Sequence, residues 1–287
     1  MPRRGAVLAD VHGNLVALRA VLAAAGAAGA AEVVVAGDVV NFGPQSDAVV
    51  DLLREVGARL IRGNHEQELV APYGTPALPV RVATSPAFAL ARWTLERLGP
   101  ERRAYLAALP DLLLLDAATV VAHGSPRHVR DAVTAERTDA ELAAMLDGPS
   151  GRLGPAAEPV RLAFVGHTHR PLFRTLPGLP ARRFVNVGAV GFNLDGDARA
   201  SYALAEPAPS GAPGDWRVEL RRVPYDLAAA VAAFDNGFRQ ACPELAELLA
   251  RQVRTARPYF GPWLRASAGL PDEALLESAR RFLAAHP

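Results

Sequence analysis

The chain has 287 residues, half of them hydrophobic, which permits one large α/β domain or two smaller ones around a sizeable core. Its 31 basic and 30 acidic residues leave a formal net charge of +1, so no global field points to nucleic acid or to a membrane surface. Every basic residue is Arg; the absence of Lys accompanies heavy use of Ala and excludes a Schiff-base or P-loop lysine. The single Cys242 excludes an intramolecular disulfide and a multi-cysteine zinc site, which leaves His and oxygen donors for any metal. The apolar run Ala6 to Ala9 stops at Asp10, short of a secretory h-region, and Arg19 and several Gly interrupt the Ala-rich stretch Leu15 to Ala31. By elimination, a cytoplasmic protein without a membrane span is expected.

Gly5 to Ala9 is a short apolar run suited to a buried strand. Gly13 to Gly26 has helix length, with Leu15, Leu18, Val21 and Leu22 as its apolar positions. Glu32 to Ala36 predicts a second strand, and Ser46 an N-cap for a helix running to Gly57. Arg59 to Ile61 predicts a third strand, and this alternation favours parallel pairing with right-handed crossovers. Pro72, Pro76, Pro79 and Pro86 make Tyr73 to Pro86 a loop; two helices, Pro86 to Leu98 and Glu101 to Leu109, are broken at Gly99-Pro100. Thr119 to Ala122 predicts a strand, Thr138 with Glu141 a capping box for a helix through Leu146, and Gly148 to Pro159 a turn-rich connection. Arg161 to Val165, Arg183 to Val187, Ser201 to Leu204 and Trp216 to Val223 each suit a strand, the last two turned as a hairpin at Gly211-Ala212-Pro213-Gly214. From Asp226 the pattern is helical to the end, with breaks at Pro243, Pro258 and Pro271.

Polar residues collect directly after the predicted strands. Asp10 and His12 follow the first, Asp38 the second, Asn64 and His65 the third, His123 the fourth, and His167 and His169 the fifth. Open α/β sheets place ligand sites at the carboxyl ends of their strands, so these residues are expected to meet. Imidazole with carboxylate suits divalent Mn, Fe, Zn, Co or Ni. The candidate donors Asp10, His12, Asp38, Asn64, His123, His167 and His169 are too many for one ion; two ions sharing a carboxylate would use them all, and such pairs promote in-line attack at phosphorus. An isolated Asp-x-His, His-x-His or Gly-Asn-His is weak on its own. The ordered series, each piece after a strand, is what carries the reading. His128 fits a solvated loop and His286 a frayed terminus.

The ordered set Asp10-Val11-His12-Gly13-Asn14, Gly37-Asp38-Val39-Val40-Asn41, Gly63-Asn64-His65-Glu66, His123-Gly124-Ser125-Pro126 and Gly166-His167-Thr168-His169 resembles the calcineurin-like metallophosphoesterase superfamily. The segments Asn186 to Gly191 and Asp195 to Tyr202 add a likeness to its small bacterial and archaeal phosphodiesterase branch. The resemblance covers roughly residues 5 to 225. It implies a four-layer α/β/β/α sandwich over 1–225, with a helical insertion at about 72–110, and leaves 226–287 as a helical extension packed on it. It implies that Asp10, His12 and His169 hold one metal, Asn64, His123 and His167 the other, and that Asp38 bridges them. Mn is the first expectation for the pair, with Fe, Zn, Ni or Co as alternatives. A metal-bridging hydroxide would attack in line, and His65 would protonate the leaving group.

Asn14 is a candidate for orienting a metal ligand, and Arg62 and Arg127 are candidates for phosphate contact. Phe42 stands where the protein-phosphatase and dinucleotide-tetraphosphatase branches usually carry a phosphate-clamping Arg. That departure favours less charged phosphodiesters over phosphoproteins. The expected partner is therefore a small phosphoester substrate, with no membrane and no strong nucleic-acid signal; a homo-oligomer is allowed. The competing readings are a phosphomonoesterase or phosphoprotein phosphatase, a non-catalytic scaffold of the same fold, and a Ser125–His123 hydrolase. The last lacks a nucleophile-elbow Gly-x-Ser-x-Gly. The aromatic residues Phe234, Phe238, Tyr259, Phe260, Trp263 and Phe282 of the tail are expected mainly in core packing, with a substrate cap or dimer surface as the alternative.

Overall fold

A computed structural model of the chain describes residues 3–147, 159–178 and 180–286; the predicted turn-rich connection falls outside them over 148–158. Two five-stranded sheets form the centre. The first has strands β1 (Gly5–Leu8), β2 (Glu32–Val35), β3 (Arg59–Leu60), β9 (Ala200–Pro207) and β10 (Trp216–Val223), in the order β10-β9-β1-β2-β3. The second has β4 (Leu112–Asp116), β5 (Thr119–Ala122), β6 (Leu162–Val165), β7 (Leu172–Leu176) and β8 (Arg182–Asn186), in the order β4-β5-β6-β8-β7. Pairing is parallel within β1-β2-β3 and β5-β6-β8, as the alternation with helices predicts, while β9, β10, β4 and β7 join antiparallel.

Strand periodicity builds the layers. In β1, Ala6 and Leu8 turn to the core shared with helices α1 (Leu15–Ala27), α2 (Ser46–Glu55) and α4 (Ala89–Ala107). Val7 turns the other way and meets Phe164, Val121, Val185 and Trp216 between the sheets. On the far side, Ala163 and Val165 of β6 pack with Leu142, Met145 and Leu146 of α5 (Asp139–Leu146). The central strands are buried on both faces, which is why they read as continuous apolar runs. The order is helix, sheet, sheet, helix.

The capping box at Thr138 and Glu141 is present, and α4 bends where Gly99 adopts φ 69° ahead of Pro100. Pro243 opens α8 (Pro243–Thr255), Pro258 precedes α9 (Phe260–Ala266), and Pro271 precedes α10 (Asp272–Ala285). These stops act through the missing N–H and fixed φ of proline. Three expectations need correction. Ser46 is the first residue of α2 rather than its cap; its hydroxyl instead accepts from Asn41 N at 3.0 Å. The stretch 73–86 is not all loop, because α3 (Val80–Thr84) and a 3₁₀ turn at Pro86–Phe88 lie in or across it. Strands β4 and β7 have no counterpart among the expected strands: β4 is a Leu run ending in Asp116, and both lie on sheet edges.

The C-terminal helices make a separate core. Phe234, Phe238, Leu245, Leu249, Trp263 and Leu275 pack against Ala87 and Leu90 of the insertion and against Phe192. Most of the tail's aromatic residues are thus structural, as expected, but the same packing brings α8 and α9 beside the strand ends.

Candidate metal centre and substrate cavity

All five strand-end segments converge. Three groups of donors have their ligand atoms within 4.8 Å of one another: Asp10, His12 and His169; Asp38, His123 and His167; and His12, Asp38 and His65. The backbone is strained to achieve this. Asp10, His12, Asp38, Asn41, Phe42, His167 and His169 all have φ between 46° and 69°. Such left-handed non-glycine residues are uncommon, and clustering at one place marks a functional constraint. Glycine lets the loops touch: a Cβ on Gly63 would lie 2.1 Å from Asp38 Oδ1, and one on Gly166 would lie 2.6 Å from Asp10 Oδ2.

The histidines are oriented by backbone carbonyls. His12 Nδ1 donates to Val40 O (3.1 Å), His123 Nδ1 to Ala36 O (2.7 Å), and His169 Nδ1 to Phe192 O. A proton held on Nδ1 leaves each Nε2 lone pair aimed inward, the arrangement used by metal-binding imidazoles. His12 Nε2 lies 3.2 Å from His169 Nε2, and His123 Nε2 lies 3.0 Å from Asn64 Oδ1. Lone pairs this close repel unless a proton or a cation lies between them.

The carboxylates are buried to match. Asp10 Oδ2 accepts from His167 N (2.9 Å), but Asp10 Oδ1 is buried with no hydrogen-bond partner. It lies 3.4 Å from His169 Nε2 and 3.9 Å from His12 Nε2. An ionised oxygen without a donor is costly in a protein interior, and a cation resolves it. Asp38 Oδ1 accepts from His65 N (2.8 Å), while Asp38 Oδ2 faces His123 (3.3 Å), His12 (3.7 Å) and His65 (3.8 Å). Asp38 Oδ2 thus lies between His12 of one group and His123 of another. The set, hard oxygens with borderline imidazoles, suits a first-row divalent ion and fits a pair of them.

The titration behaviour follows from the same geometry. Burial pushes His12 down to about 3 and His167 down to about 4, so both are neutral and free to ligate. Burial also acts against protonation of His123, but Asp38 and Asp10 outweigh it and raise the group to about 10; Asp10 raises His169 in the same way. Without a cation, buried carboxylates thus draw protons onto neighbouring imidazoles, and metal binding would release them.

Glu66, part of a motif but given no role by sequence reasoning, holds the loops together. Fully buried, it accepts from the backbone N–H of Asp38 (2.9 Å), Val39 (2.9 Å) and Gly63 (2.8 Å). Burial and the Asp38 charge outweigh the Gly63 and Asp38 N–H donors and hold its carboxyl up at about 7. Asn41 Nδ2 donates to His65 Nδ1 (2.9 Å), which puts the ring proton on Nε2, the atom facing Asp38. Burial holds His65 below its ordinary value. Asn186 ties the His167 loop through Gly166 O and Thr168 Oγ1, both at 2.8 Å.

The three auxiliary candidates lie elsewhere. Asn14 caps α1 through Ala17 N (3.0 Å) and donates to Gly191 O (3.1 Å), so it positions loops. Arg62 is paired with Asp111 at 2.7 Å and donates to Ala107 O, and Arg127 forms an ion pair with Asp131 at 2.9 Å. Both guanidiniums are thus engaged in structural pairs. Ser125 Oγ also donates to Asp131, which leaves it no role as a nucleophile for His123. His128 is exposed, as expected.

The donors open into a cavity of about 240 Å³ walled by Asp38, Asn64, His65, His167 and His169 on one side and by Phe260, Gly261 and Arg265 of α9 on the other. Neither Phe260 nor Arg265 carries a motif; sequence separation hides their approach. Phe42 bridges the two walls, with its ring centroid 4.7 Å from His65, 4.9 Å from His12 and 5.5 Å from Phe260. Arg265 is exposed.

Comparison with known proteins agrees with this architecture. The model of the calcineurin-like phosphoesterase family matches residues 4–171. A metallophosphoesterase of Sphaerobacter thermophilus is 30% identical in sequence, with 88% of this chain and 99% of that chain covered at a TM-score of 0.66. A hypothetical protein of Pyrococcus horikoshii has the same fold at 21% identity, covering 86% of this chain and 97% of that one with a TM-score of 0.69. An uncharacterized protein of Methanocaldococcus jannaschii is 25% identical over 247 residues, 77% of this chain and 88% of its own length. The chain belongs to the calcineurin-like phosphoesterase family, and its enzymatic class is that of a metallophosphoesterase. The family uses divalent metals, and the clustered Asp and His residues are the candidate ligands. No helix among the described residues is long and apolar enough to cross a membrane.

Proposed function

We propose that the chain hydrolyses phosphodiesters with a pair of divalent cations, Mn first among them. The observation that carries this reading is Asp38 Oδ2, which faces His123, His12 and His65 at 3.3 to 3.8 Å and so stands between the two donor groups. Asp10, His12 and His169 would hold one cation, and Asn64, His123 and His167 the other, with Asp38 shared. The orphaned Asp10 Oδ1 supports a cation at the first position. When bound, the pair supplies the charge that makes water nucleophilic near neutral pH and offsets charge on the phosphoryl oxygens.

The chain's own residues do the rest. His65, held by Asn41 with Nε2 turned to the site, would take up a second proton and, as an imidazolium, give one to the leaving oxygen and return to the neutral ring. Phe42 puts an apolar ring where a guanidinium would favour a dianionic monoester, which supports a diester of single charge. Arg265, on the opposite wall, is the cationic side chain available to a phosphoryl oxygen.

The test is hydrolysis of bis(4-nitrophenyl) phosphate and 4-nitrophenyl phosphate by the purified protein with added Mn. The diester is expected to be the better substrate by kcat/KM. Substituting His65→Ala should slow turnover of a diester with a poor leaving group by about a hundredfold, with metal still bound. Preference for the monoester would replace the diester reading. No turnover with any divalent ion would leave the fold as a scaffold.

A further inference from the structure

A second cavity, of about 230 Å³, adjoins the first. Phe42, Asn64, His65 and Phe260 line both, so the two spaces share a wall that includes the proposed proton donor. Beyond that wall the character changes. The second cavity is bounded by Leu69, by Val82, Ala87, Phe88, Leu90 and Ala91 of the insertion, and by Leu245 and Leu249 of α8. Its charged residues are Glu68 and Arg130, and they are paired with each other. An ion pair satisfied internally offers a ligand little charge, which leaves apolar surface as the recognition chemistry.

Apart from that shared wall, most of its lining comes from the 72–110 insertion and from the C-terminal helices, outside the motifs that carry the donors. Both segments pack in the C-terminal core, where Ala87 and Leu90 meet Leu245 and Leu249, so these wall residues are themselves buried.

We infer that this pocket receives the apolar, ring-sized leaving group of the phosphodiester, so that the enzyme selects aryl or similarly apolar esters over small alkyl ones. The inference rests on the phosphodiesterase reading of the donor cavity. Leaving oxygen and proton donor must meet, and His65 forms the boundary between the phosphate space and the apolar space. A leaving group that departs past His65 enters the second cavity. Phe42 and Phe260 then offer ring faces to it. Burial of a ring there supplies remote binding energy that a methyl ester lacks.

The experiment uses two methyl phosphodiesters, one with a phenyl and one with a trifluoroethyl leaving group, and the substitution Ala91→Phe, which puts a ring into the pocket. The quantity read is the ratio of kcat/KM for phenyl over trifluoroethyl. Dividing the wild-type ratio by the variant ratio removes both intrinsic reactivity and any loss of metal or folded protein. That double ratio is expected to be about tenfold or more. A second arm needs no turnover: phenylphosphonate should raise the melting temperature of the Mn-loaded wild type more than methylphosphonate does, and Phe260→Ala should shrink that difference. A double ratio near one together with equal protection by the two phosphonates would overturn the inference. Absence of turnover on both diesters would instead count against the phosphodiesterase reading, and the phosphonate arm would still decide whether the pocket holds an apolar ring.

Discussion

Asp10 Oδ1 and the facing Nε2 atoms of His12 and His169 form a local conflict that the chain does not resolve with its own donors. Such conflicts persist only where surrounding contacts hold them; His167 N, Val40 O and Phe192 O hold these three groups, and Glu66, Asn41 and Asn186 fix the neighbouring loops. Each lies inside a motif, yet its role was invisible in sequence because a motif gives spacing, not hydrogen-bond direction. The donors themselves are legible, since each follows a strand and the segments of both sheets converge on one place. Asp111 and Asp131 pair with Arg62 and Arg127, partners that an arginine near a motif does not announce in sequence. Arg265 is the residue to test in their place. Replacing it with Ala is expected to raise KM for a diester about tenfold with a smaller change in kcat, and Lys should restore part of the loss. An unchanged KM in steady-state kinetics would remove Arg265 from phosphate binding.

At the scale of elements, the periodic segments were read well and the edges poorly. The capping box of α5 and the strand Trp216–Val223 match their expected bounds because each rests on local chemistry. Strand β4 does not announce itself, for a run of leucines suits a helix as well as a strand. Its position is set by Asp116, which accepts from Ala118 N (2.8 Å), Thr119 Oγ1 (3.0 Å) and Trp216 Nε1 (2.6 Å). One carboxylate thus joins the β4–β5 turn to β10 in the other sheet. Burial raises its pKa, but these donors outweigh burial and hold it below the ordinary 3.8. Because the folded value is depressed, the carboxylate contributes stability above the ordinary pKa and loses it as pH falls through the folded one. Asp116→Asn should cost about 1–2 kcal/mol near neutral pH in urea unfolding, and less at acid pH. A cost that grows as pH falls would contradict this assignment.

Across the whole molecule, the sandwich positions the donors and the additions shape what reaches them. Only the sandwich is legible from motifs. The insertion and the C-terminal helices meet across more than a hundred residues of sequence, and no local pattern reports that Phe260 comes to face Phe42 at 5.5 Å. Their shared core, with Trp263 and Phe238 buried, gives the cavity walls a rigidity that loops alone would lack. The central claim remains the cation pair on Asp38. Calorimetric titration of Mn into metal-stripped protein measures it directly. The account predicts saturation at two ions per chain, with protons released as His123 and His169 give up theirs; saturation at one ion, or no binding, would contradict it.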